Sequence, residues 1–123
     1  MIDLNKLCAI SLKDAEQRNR NGGNIKPYTD SLLKHCATEV VEATQAYVGY
    51  AKWKIAKLDC MGYERQKIEE TFSYYENNFV SELADVICCV LIIAGKEEIN
   101  IEKALLDCIE KNRKRAEGLG DKL

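Results

Sequence analysis

The sequence predicts an all-α protein with a four-helix bundle-like fold, in a single domain that spans residues 1–123. Three observations predict it. The chain contains a single Pro, it has no stretch in which apolar and polar residues alternate as in a half-buried strand, and its apolar residues recur at helical spacing between helix breakers. A length of 123 residues is also usual for one domain. The predicted helices cover about residues 3–20, 30–57, 75–96 and 101–117.

The first predicted helix carries an imperfect apolar stripe and ends at a strong breaker. The stripe consists of Leu4, Leu7, Cys8, Ile10, Leu12 and Ala15. The breaker is the Asn-Gly-Gly-Asn sequence at 21–24. The loop that follows runs through Pro27 to Tyr28.

The second predicted helix starts at Thr29 or Asp30, because either side chain can cap a helix N-terminus. Its apolar stripe is predicted to face the core and consists of Leu33, Ala37, Val40, Val41, Thr44, Val48 and Ala51. Glu39 and Glu42 lie beside this stripe rather than opposite it. Carboxylates at the border of a core stripe need a positive partner if they are removed from water.

The segment 58–76 is the part of the chain whose structure the sequence determines least. Residues 61–63 are typical of a turn, and residues 64–72 fit either a short helix or an ordered loop. We expect its aromatic side chains to pack over the end of the bundle, with stacking on a nucleotide base as the alternative. These side chains are Tyr63, Phe72, Tyr74 and Tyr75.

The third predicted helix contains an unbroken apolar run from Val86 to Ala94, which predicts that no side of it faces water. Glu82 and Asp85 lie one turn before the run and project from the same face. The run is nine residues long, whereas a membrane span needs about 20 apolar residues. The N-terminal residues lack the pattern of a signal peptide. We therefore expect a cytoplasmic protein with no membrane contact.

The fourth predicted helix begins after Asn100, a good N-cap, and ends at Gly118, a good C′ residue. Its inward stripe is predicted to comprise Ile101, Leu105, Cys108 and Asn112. Lys111 and Arg115 flank Asn112 on this helix.

Charge and cysteine content exclude several classes of function. A net charge of −2 and a pI of about 5.5 favour neither a nucleic acid polymer nor an anionic membrane. The six cysteines contain no CxxC pair, which predicts reduced, buried thiols rather than a zinc site or disulfides. The chain has one histidine, His35, so it cannot supply the two Glu-x-x-His motifs of a ferritin-like di-iron site.

Three pairs of acidic residues occur at i,i+3 spacing, and their context separates them. With 20 acidic residues, chance alone predicts about three such pairs, so the count is no evidence. Asp107 and Glu110 lie among basic residues and are predicted to face solvent. If the other two pairs, Glu39/Glu42 and Glu82/Asp85, face each other on antiparallel helices, like charges about 5 Å apart cost about 3 kcal/mol per pair.

A cation between the two pairs would remove that repulsion. Oxygen ligands without His or Cys suit Mg²⁺ or Mn²⁺, and Mg²⁺ commonly binds substrate phosphates. The alternative is that the carboxylates are simply solvated or form ion pairs with lysines. The lysines available for such pairs are Lys34, Lys54 and Lys96.

Taken together, three segments resemble the MazG-like all-α nucleoside triphosphate pyrophosphatase superfamily. The sequence TEVVEA at 38–43 is similar to the family's E-E-x-x-E segment, with Glu39 and Glu42 in the E-x-x-E places. The sequence SELADVI at 81–87 is similar to the E-x-x-D segment, with Glu82 and Asp85. EKNRKR at 110–115 is similar to the basic closing segment that contains Asn. The resemblance covers about half of the chain, in residues 31–50 and 79–115.

The resemblance implies a Mg²⁺-dependent enzyme, with Mn²⁺ as an alternative ion, that hydrolyses a nucleoside triphosphate to a monophosphate and pyrophosphate. Lys111 and Arg115 would contact phosphate, and Asn112 would bind the sugar or base. It also implies a homodimer or homotetramer in which helices of two subunits shape one site. The metal ligands and catalytic residues would be Glu39, Glu42, Glu82 and Asp85.

One departure from the family pattern leaves alternatives open. Thr38 stands where many members carry the first Glu of E-E-x-x-E, which is consistent with one metal rather than two. A helical binding or regulatory protein with a weak or inactive site is therefore one alternative. Phosphoribosyl-ATP pyrophosphohydrolysis, within the same superfamily, is another.

Overall fold

The computed structural model describes residues 2–20, 28–59 and 64–118. Within these ranges the chain is all-α, with four helices and no strand. The prediction of an all-α protein is therefore confirmed. The helices are α1 (Leu4–Arg20), α2 (Thr29–Asp59), α3 (Arg65–Lys96) and α4 (Ile101–Ala116).

The predicted bounds agree with the structure except at the start of α3. This helix begins at Arg65 rather than at about residue 75, because the segment after Arg65 contains no Gly or Pro before Gly95. Side-chain pairs at i,i+4 spacing support its first turns. Arg65 Nε lies 3.0 Å from Glu69 Oε1, and Gln66 donates to Glu70 at 3.2 Å.

Several sequence predictions lie outside the described residues. They concern the breaker and loop at 21–27, the turn at 61–63 with Tyr63, and Cys60.

The predicted caps of α4 are confirmed. The Asn100 side chain accepts a hydrogen bond from Lys103 N at 3.1 Å, which satisfies a free N–H of the first turn. Gly118 adopts a φ of 76° after the helix, as expected of a C′ glycine. Asn5 of α1 donates to the same Asn100 oxygen at 2.9 Å, so α1 is tied to the start of α4.

The chain divides into two compact units, which we describe separately. The first comprises Met1–Thr29 and Leu91–Leu123, and the second comprises Asp30–Val90. The last turns of α3 thus belong to the first unit, and the rest of α3 belongs to the second with α2.

The first unit has a small core built from α1 and the end of α3. Cys8, Leu91 and Ala94 are buried together, and Ile101 at the start of α4 packs against them. Gly95 allows the close approach of α1, because a Cβ there would lie 2.8 Å from the backbone oxygen of Cys8. The predicted inward stripe of α4 is wrong beyond Ile101, since its other members, Leu105, Cys108 and Asn112, are exposed.

In the second unit α2 and α3 run antiparallel. Three pairs of neighbouring residues show this. Gly49 lies against Tyr75, the Glu42 carboxylate lies near that of Glu82, and the Glu39 carboxylate lies near the Cys89 thiol. Positions later on α2 therefore meet positions earlier on α3. Sequence analysis assumed this arrangement for the two acidic pairs.

Aromatic side chains of α2 and α3 pack against one another in this unit. The Tyr50 and Phe79 rings lie 5.1 Å apart between centroids, and Trp53 stacks on Tyr75 at 5.9 Å. Phe72 is buried against Tyr50. The predicted packing role is therefore confirmed for Phe72 and Tyr75.

The predicted core stripe of α2 is wrong. Leu33 is 55% exposed, Val41 is 55% exposed and Val48 is 66% exposed. The face that packs on α3 follows a different helical row, which consists of Leu32, Cys36, Glu39, Ala43, Ala46 and Tyr50. Apart from Leu32, this row is made of small, polar and aromatic residues, so a search for large apolar residues selects the wrong side of the helix.

Five exposed apolar residues of α2 form one stripe, which we call the outer stripe. It consists of Leu33, Val40, Val41, Val48 and Ile55. On α3, Val80, Leu83 and Ile87 are also exposed. The prediction that no side of the apolar run faces water is therefore wrong for Ile87, Cys88 and Val90, which lie within it and are exposed.

Among the residues that the structure describes, one helix, α3, is long and apolar enough to cross a membrane by length and composition. The nine-residue run alone does not reveal this property, because the apolar part of α3 extends beyond the run and includes few charges. A single such helix is weak evidence, since the core helix of a protein outside membranes passes the same test.

Candidate metal centre

Three carboxylates of the second unit converge, and we call them the acidic cluster. Glu39 and Glu42 lie one turn apart on α2, and Glu82 faces them from α3. One oxygen atom from each of the three lies within 4.8 Å of the others. The antiparallel register thus brings together three of the four carboxylates that the sequence predicted as ligands.

The environment of the cluster opposes negative charge. Burial, followed by the charge of Glu42, raises the pKa of Glu39 above its usual range, and His35 acts in the opposite direction. Burial, followed by the charges of Glu42 and Asp85, also raises the pKa of Glu82. Desolvation and like charges both disfavour the ionised form, so a divalent cation would relieve the repulsion.

Two oxygen atoms of the cluster have no partner. Glu39 Oε2 and Glu82 Oε2 are buried and accept no hydrogen bond from the described part of the chain. The predicted alternative of lysine pairing finds no support, because the salt bridges of the described residues include no lysine at Glu39, Glu42, Glu82 or Asp85. Buried oxygens without donors fit a hard cation such as Mg²⁺.

Asp85 lies outside the group of three oxygens and is exposed. Its charge nevertheless raises the pKa of Glu39 and of Glu82, so it is close enough to act on both. Thr38 is exposed, and its hydroxyl donates to the Lys34 carbonyl at 3.2 Å. Thr38 thus bonds to its own helix and does not belong to the acidic cluster.

A cleft of about 300 Å³ adjoins the cluster within the same unit. Glu42 and Glu82 form its acidic part, and the Tyr75 ring is another wall. It is lined by Glu42, Gln45, Ala46, Gly49, Tyr75, Asn78 and Glu82. The cleft therefore combines carboxylates, two side-chain amides and one aromatic face, a mixture suited to a polar ligand with a flat ring. Sequence analysis did not select Gln45 or Asn78.

A second group of potential ligands lies on the other side of Glu39, and we call it the mixed cluster. It comprises His35, Glu39 and Cys89, whose ligand atoms all lie within 4.8 Å of one another. His35 Nε2 lies 3.2 Å from Glu39 Oε1. Sequence analysis treated His35 and the cysteines as poor metal candidates. The i,i+4 spacing of His35 and Glu39 was the available signal, whereas the position of Cys89 follows only from the register of α3 on α2.

The described cysteines are free thiols. Cys8 and Cys89 are buried, as predicted, whereas Cys88 and Cys108 are exposed. Burial is the main cause that raises the pKa of Cys89 to about 11, so this thiol is neutral near pH 7 in the absence of a metal.

The predicted substrate-binding residues lie on α4, in the first unit. Lys111 and Asn112 are exposed, and Asn112 donates to Cys108 Sγ at 3.9 Å. Arg115 Nε is buried and has no hydrogen-bond partner among the described residues. Their role in binding stays a prediction.

The surface assignment of the third acidic pair is confirmed. Asp107 pairs with Lys103 at 2.6 Å, and Glu110 pairs with Arg113 at 2.6 Å. Arg113 also pairs with Glu117 at 2.6 Å. These carboxylates have local basic partners, in contrast to the acidic cluster.

No protein-family model, no curated protein and no solved structure matches this chain. The function of the site is therefore inferred from its own geometry and from the sequence motifs.

Proposed function

We propose that the protein is a Mg²⁺-dependent nucleoside triphosphate pyrophosphohydrolase of the MazG-like all-α type, which acts on the nucleotide pool in the cytoplasm. The products would be a nucleoside monophosphate and pyrophosphate. One observation carries the proposal: three carboxylate oxygens within 4.8 Å adjoin a cleft lined by amides and an aromatic ring.

Glu39, Glu42 and Glu82 would hold the metal, with Asp85 as a further ligand when its exposed side chain turns inward. The ligand set contains only oxygen, which favours Mg²⁺, with Mn²⁺ as an alternative. When bound, the ion would neutralise phosphate charge and lower the pKa of a coordinated water.

The side chains of the cleft would orient the nucleoside. The Tyr75 ring offers a face on which a base can stack, and the amides of Gln45 and Asn78 can both donate and accept hydrogen bonds. Gly49 keeps room for that ring, because a Cβ at this position would lie 2.6 Å from Tyr75 Cδ1.

One of the four carboxylates would act as the general base that accepts a proton from the coordinated water. Lys111 and Arg115 of α4 are proposed phosphate contacts, and Asn112 is a proposed sugar or base contact, on the strength of the motif resemblance.

We also propose that the protein assembles as a homodimer or homotetramer through the outer stripe. Leu33, Val41 and Val48 each expose more than half of their surface. A neighbouring apolar groove of about 290 Å³ is lined by residues of α2 and α3 that include Val40, Tyr47 and Leu83. An exposed apolar surface of this kind is typical of an interaction site.

The experiment is a release assay for pyrophosphate on a panel of ribo- and deoxyribonucleoside triphosphates. Parallel reactions contain Mg²⁺, Mn²⁺ or EDTA, and phosphoribosyl-ATP is included as one substrate. We expect metal-dependent release of pyrophosphate with a preference for one base. Release from phosphoribosyl-ATP alone would favour that activity, and no release by the folded protein would favour the binding or regulatory alternative.

A further inference from the structure

The mixed cluster brings three chemically different metal ligands into one place. His35 offers an imidazole nitrogen, Glu39 offers a carboxylate oxygen, and Cys89 offers a thiol sulfur. His35 and Glu39 share a face of α2, and Cys89 reaches the same point from α3. The site is therefore formed by packing of the two helices and not by a local sequence motif.

The distances suit a small tetrahedral ion. The three ligand atoms lie within 4.8 Å of one another, and His35 Nε2 is 3.2 Å from Glu39 Oε1. Zinc bonds of about 2.0 Å to nitrogen or oxygen and 2.3 Å to sulfur place tetrahedral ligand atoms about 3.3–3.6 Å apart. Small side-chain rotations would close the remaining gap.

The accessibility of the three groups also fits a bound metal. Cys89 is buried, and the Glu39 side chain is 13% exposed. His35 is 40% exposed and leaves a path by which an ion can enter from solvent. The second oxygen of Glu39 is buried and has no hydrogen-bond partner among the described residues, so this carboxylate has unused capacity to accept a cation.

We propose that His35, Glu39 and Cys89 form a second metal site, which binds a thiophilic divalent cation such as Zn²⁺. Sulfur and imidazole ligands select Zn²⁺ over Mg²⁺, whereas the acidic cluster contains only oxygen ligands. The thiol gives up its proton to solvent when the ion binds, and three protein ligands leave a fourth position for water.

Glu39 belongs to both clusters, and this sharing makes them mutually dependent. When an ion is bound by His35, Glu39 and Cys89, the negative charge of Glu39 is neutralised. The acidic cluster then binds Mg²⁺ more weakly. Zn²⁺ at the mixed cluster therefore inhibits the Mg²⁺-dependent reaction. This consequence rests on the proposed function, whereas binding of Zn²⁺ does not.

Binding is tested by titrating the metal-free native chain with Co²⁺, which reports thiolate ligation through a charge-transfer band in the near ultraviolet. Zn²⁺ affinity is then measured by competition with a chromophoric chelator, with a phosphine as reductant. Cys89→Ser is compared with Cys88→Ser, a matched control because Cys88 is the adjacent residue and is exposed. His35→Ala is a second variant at a partly exposed position, and circular dichroism verifies that each variant is folded.

We expect the native chain and Cys88→Ser to show the thiolate band and equal Zn²⁺ affinity. Cys89→Ser loses the band, and both Cys89→Ser and His35→Ala bind Zn²⁺ at least about tenfold more weakly, because even an indirect partner of a metal ligand contributes that much. The proposal is overturned if no thiolate band forms, or if Cys89→Ser and His35→Ala retain native affinity.

The coupling is tested separately by adding Zn²⁺ to the pyrophosphate assay. Micromolar Zn²⁺ should inhibit the native chain and should inhibit His35→Ala much less. Equal inhibition of both chains would refute the coupling. If no nucleotide is hydrolysed, the proposed function fails while the cobalt and zinc titrations still decide the second metal site.

Discussion

Both units of the molecule bury apolar side chains, and the second unit adds half-buried carboxylates where its two helices pack. In the first unit, Cys8, Leu91 and Ala94 form a small apolar core around which α1 approaches α3 at Gly95. In the second unit, the face between α2 and α3 contains Glu39 and Glu82. The first arrangement is stabilised by burial of apolar surface. The second opposes folding unless protons or a cation offset the charge.

Both units also expose large apolar side chains, and α4 of the first unit presents Leu106 at 61% and Ile109 at 55%. The second unit exposes Leu33, Val41 and Val48 on a single stripe of α2, and these are the large apolar residues that a sequence reader assigns to the core. A helix with apolar residues outside and carboxylates inside is suited to binding on both sides. A further chain would cover the outer stripe, and a cation with its ligand would occupy the inner face.

The largest expected effect comes from a charge on the outer stripe. Val41→Glu places a carboxylate at the centre of the proposed interface, and we expect the dimer to dissociate at least about 100-fold more readily, because an unpaired buried charge costs several kcal/mol. Light scattering across a dilution series measures the molar mass. Lys67→Glu, a change at an exposed residue on a different face, in α3, is the control. A native chain that is monomeric at all concentrations would contradict the interface.

A smaller effect is expected when a glycine of each unit is replaced by alanine, and the two losses of stability compare the helix packing in the two units. Gly95→Ala should lower the free energy of unfolding by about 1–3 kcal/mol, because its Cβ would lie 2.8 Å from the Cys8 backbone oxygen. Gly49→Ala should lose less, because its Cβ would meet a side chain, the Tyr75 ring, rather than backbone, and because alanine favours the helix by up to about 1 kcal/mol. Urea denaturation compares them. Equal loss of stability in both variants would mean that the close approach in the first unit has no special role.

The smallest expected effect is a pH dependence of stability that originates in the second unit. The folded pKa values of Glu39 and Glu82 are raised above the ordinary value of 4.5, so the folded chain binds protons more tightly than the unfolded chain. The two carboxyl groups therefore add to the free energy of unfolding below about pH 4.5, and this added stability is lost as the pH rises through their folded pKa values.

Thermal melts in EDTA at rising pH test this sign. Glu82→Gln, which cannot ionise at position 82, should lose less stability than the native chain as the pH rises. Addition of Mg²⁺ should offset the loss in the native chain, since a cation favours the ionised carboxylates. If the native chain instead gained stability relative to Glu82→Gln as the pH rises, the pKa of Glu82 would be lowered by folding, which would contradict this prediction.

Much of the fold was predictable because local signals determine it. Asn100 and Gly118 marked the ends of α4, and the antiparallel register brought Glu39 towards Glu82 as expected. The choice between the two faces of α2 was not predictable. Both faces carry apolar residues at helical spacing, and which one packs within the chain depends on α3.

The mixed cluster was missed for a related reason. His35 and Glu39 are neighbours on one helix and can be paired from their spacing alone. Cys89 is far from them in sequence, and its proximity follows from the register of two helices, which one sequence does not determine.

The most direct test of the central claim is the rate of pyrophosphate release by Glu42→Gln at saturating Mg²⁺, measured beside the native chain and Glu110→Gln. Glu42 lies in the acidic cluster, whereas Glu110 is an exposed carboxylate paired with Arg113. We predict that Glu42→Gln loses at least about 100-fold in rate, equivalent to about 2.7 kcal/mol of activation free energy, while it stays as stable as the native chain in EDTA. Glu110→Gln should keep its activity. Near-native turnover by Glu42→Gln would show that the acidic cluster is not the site of metal-dependent hydrolysis.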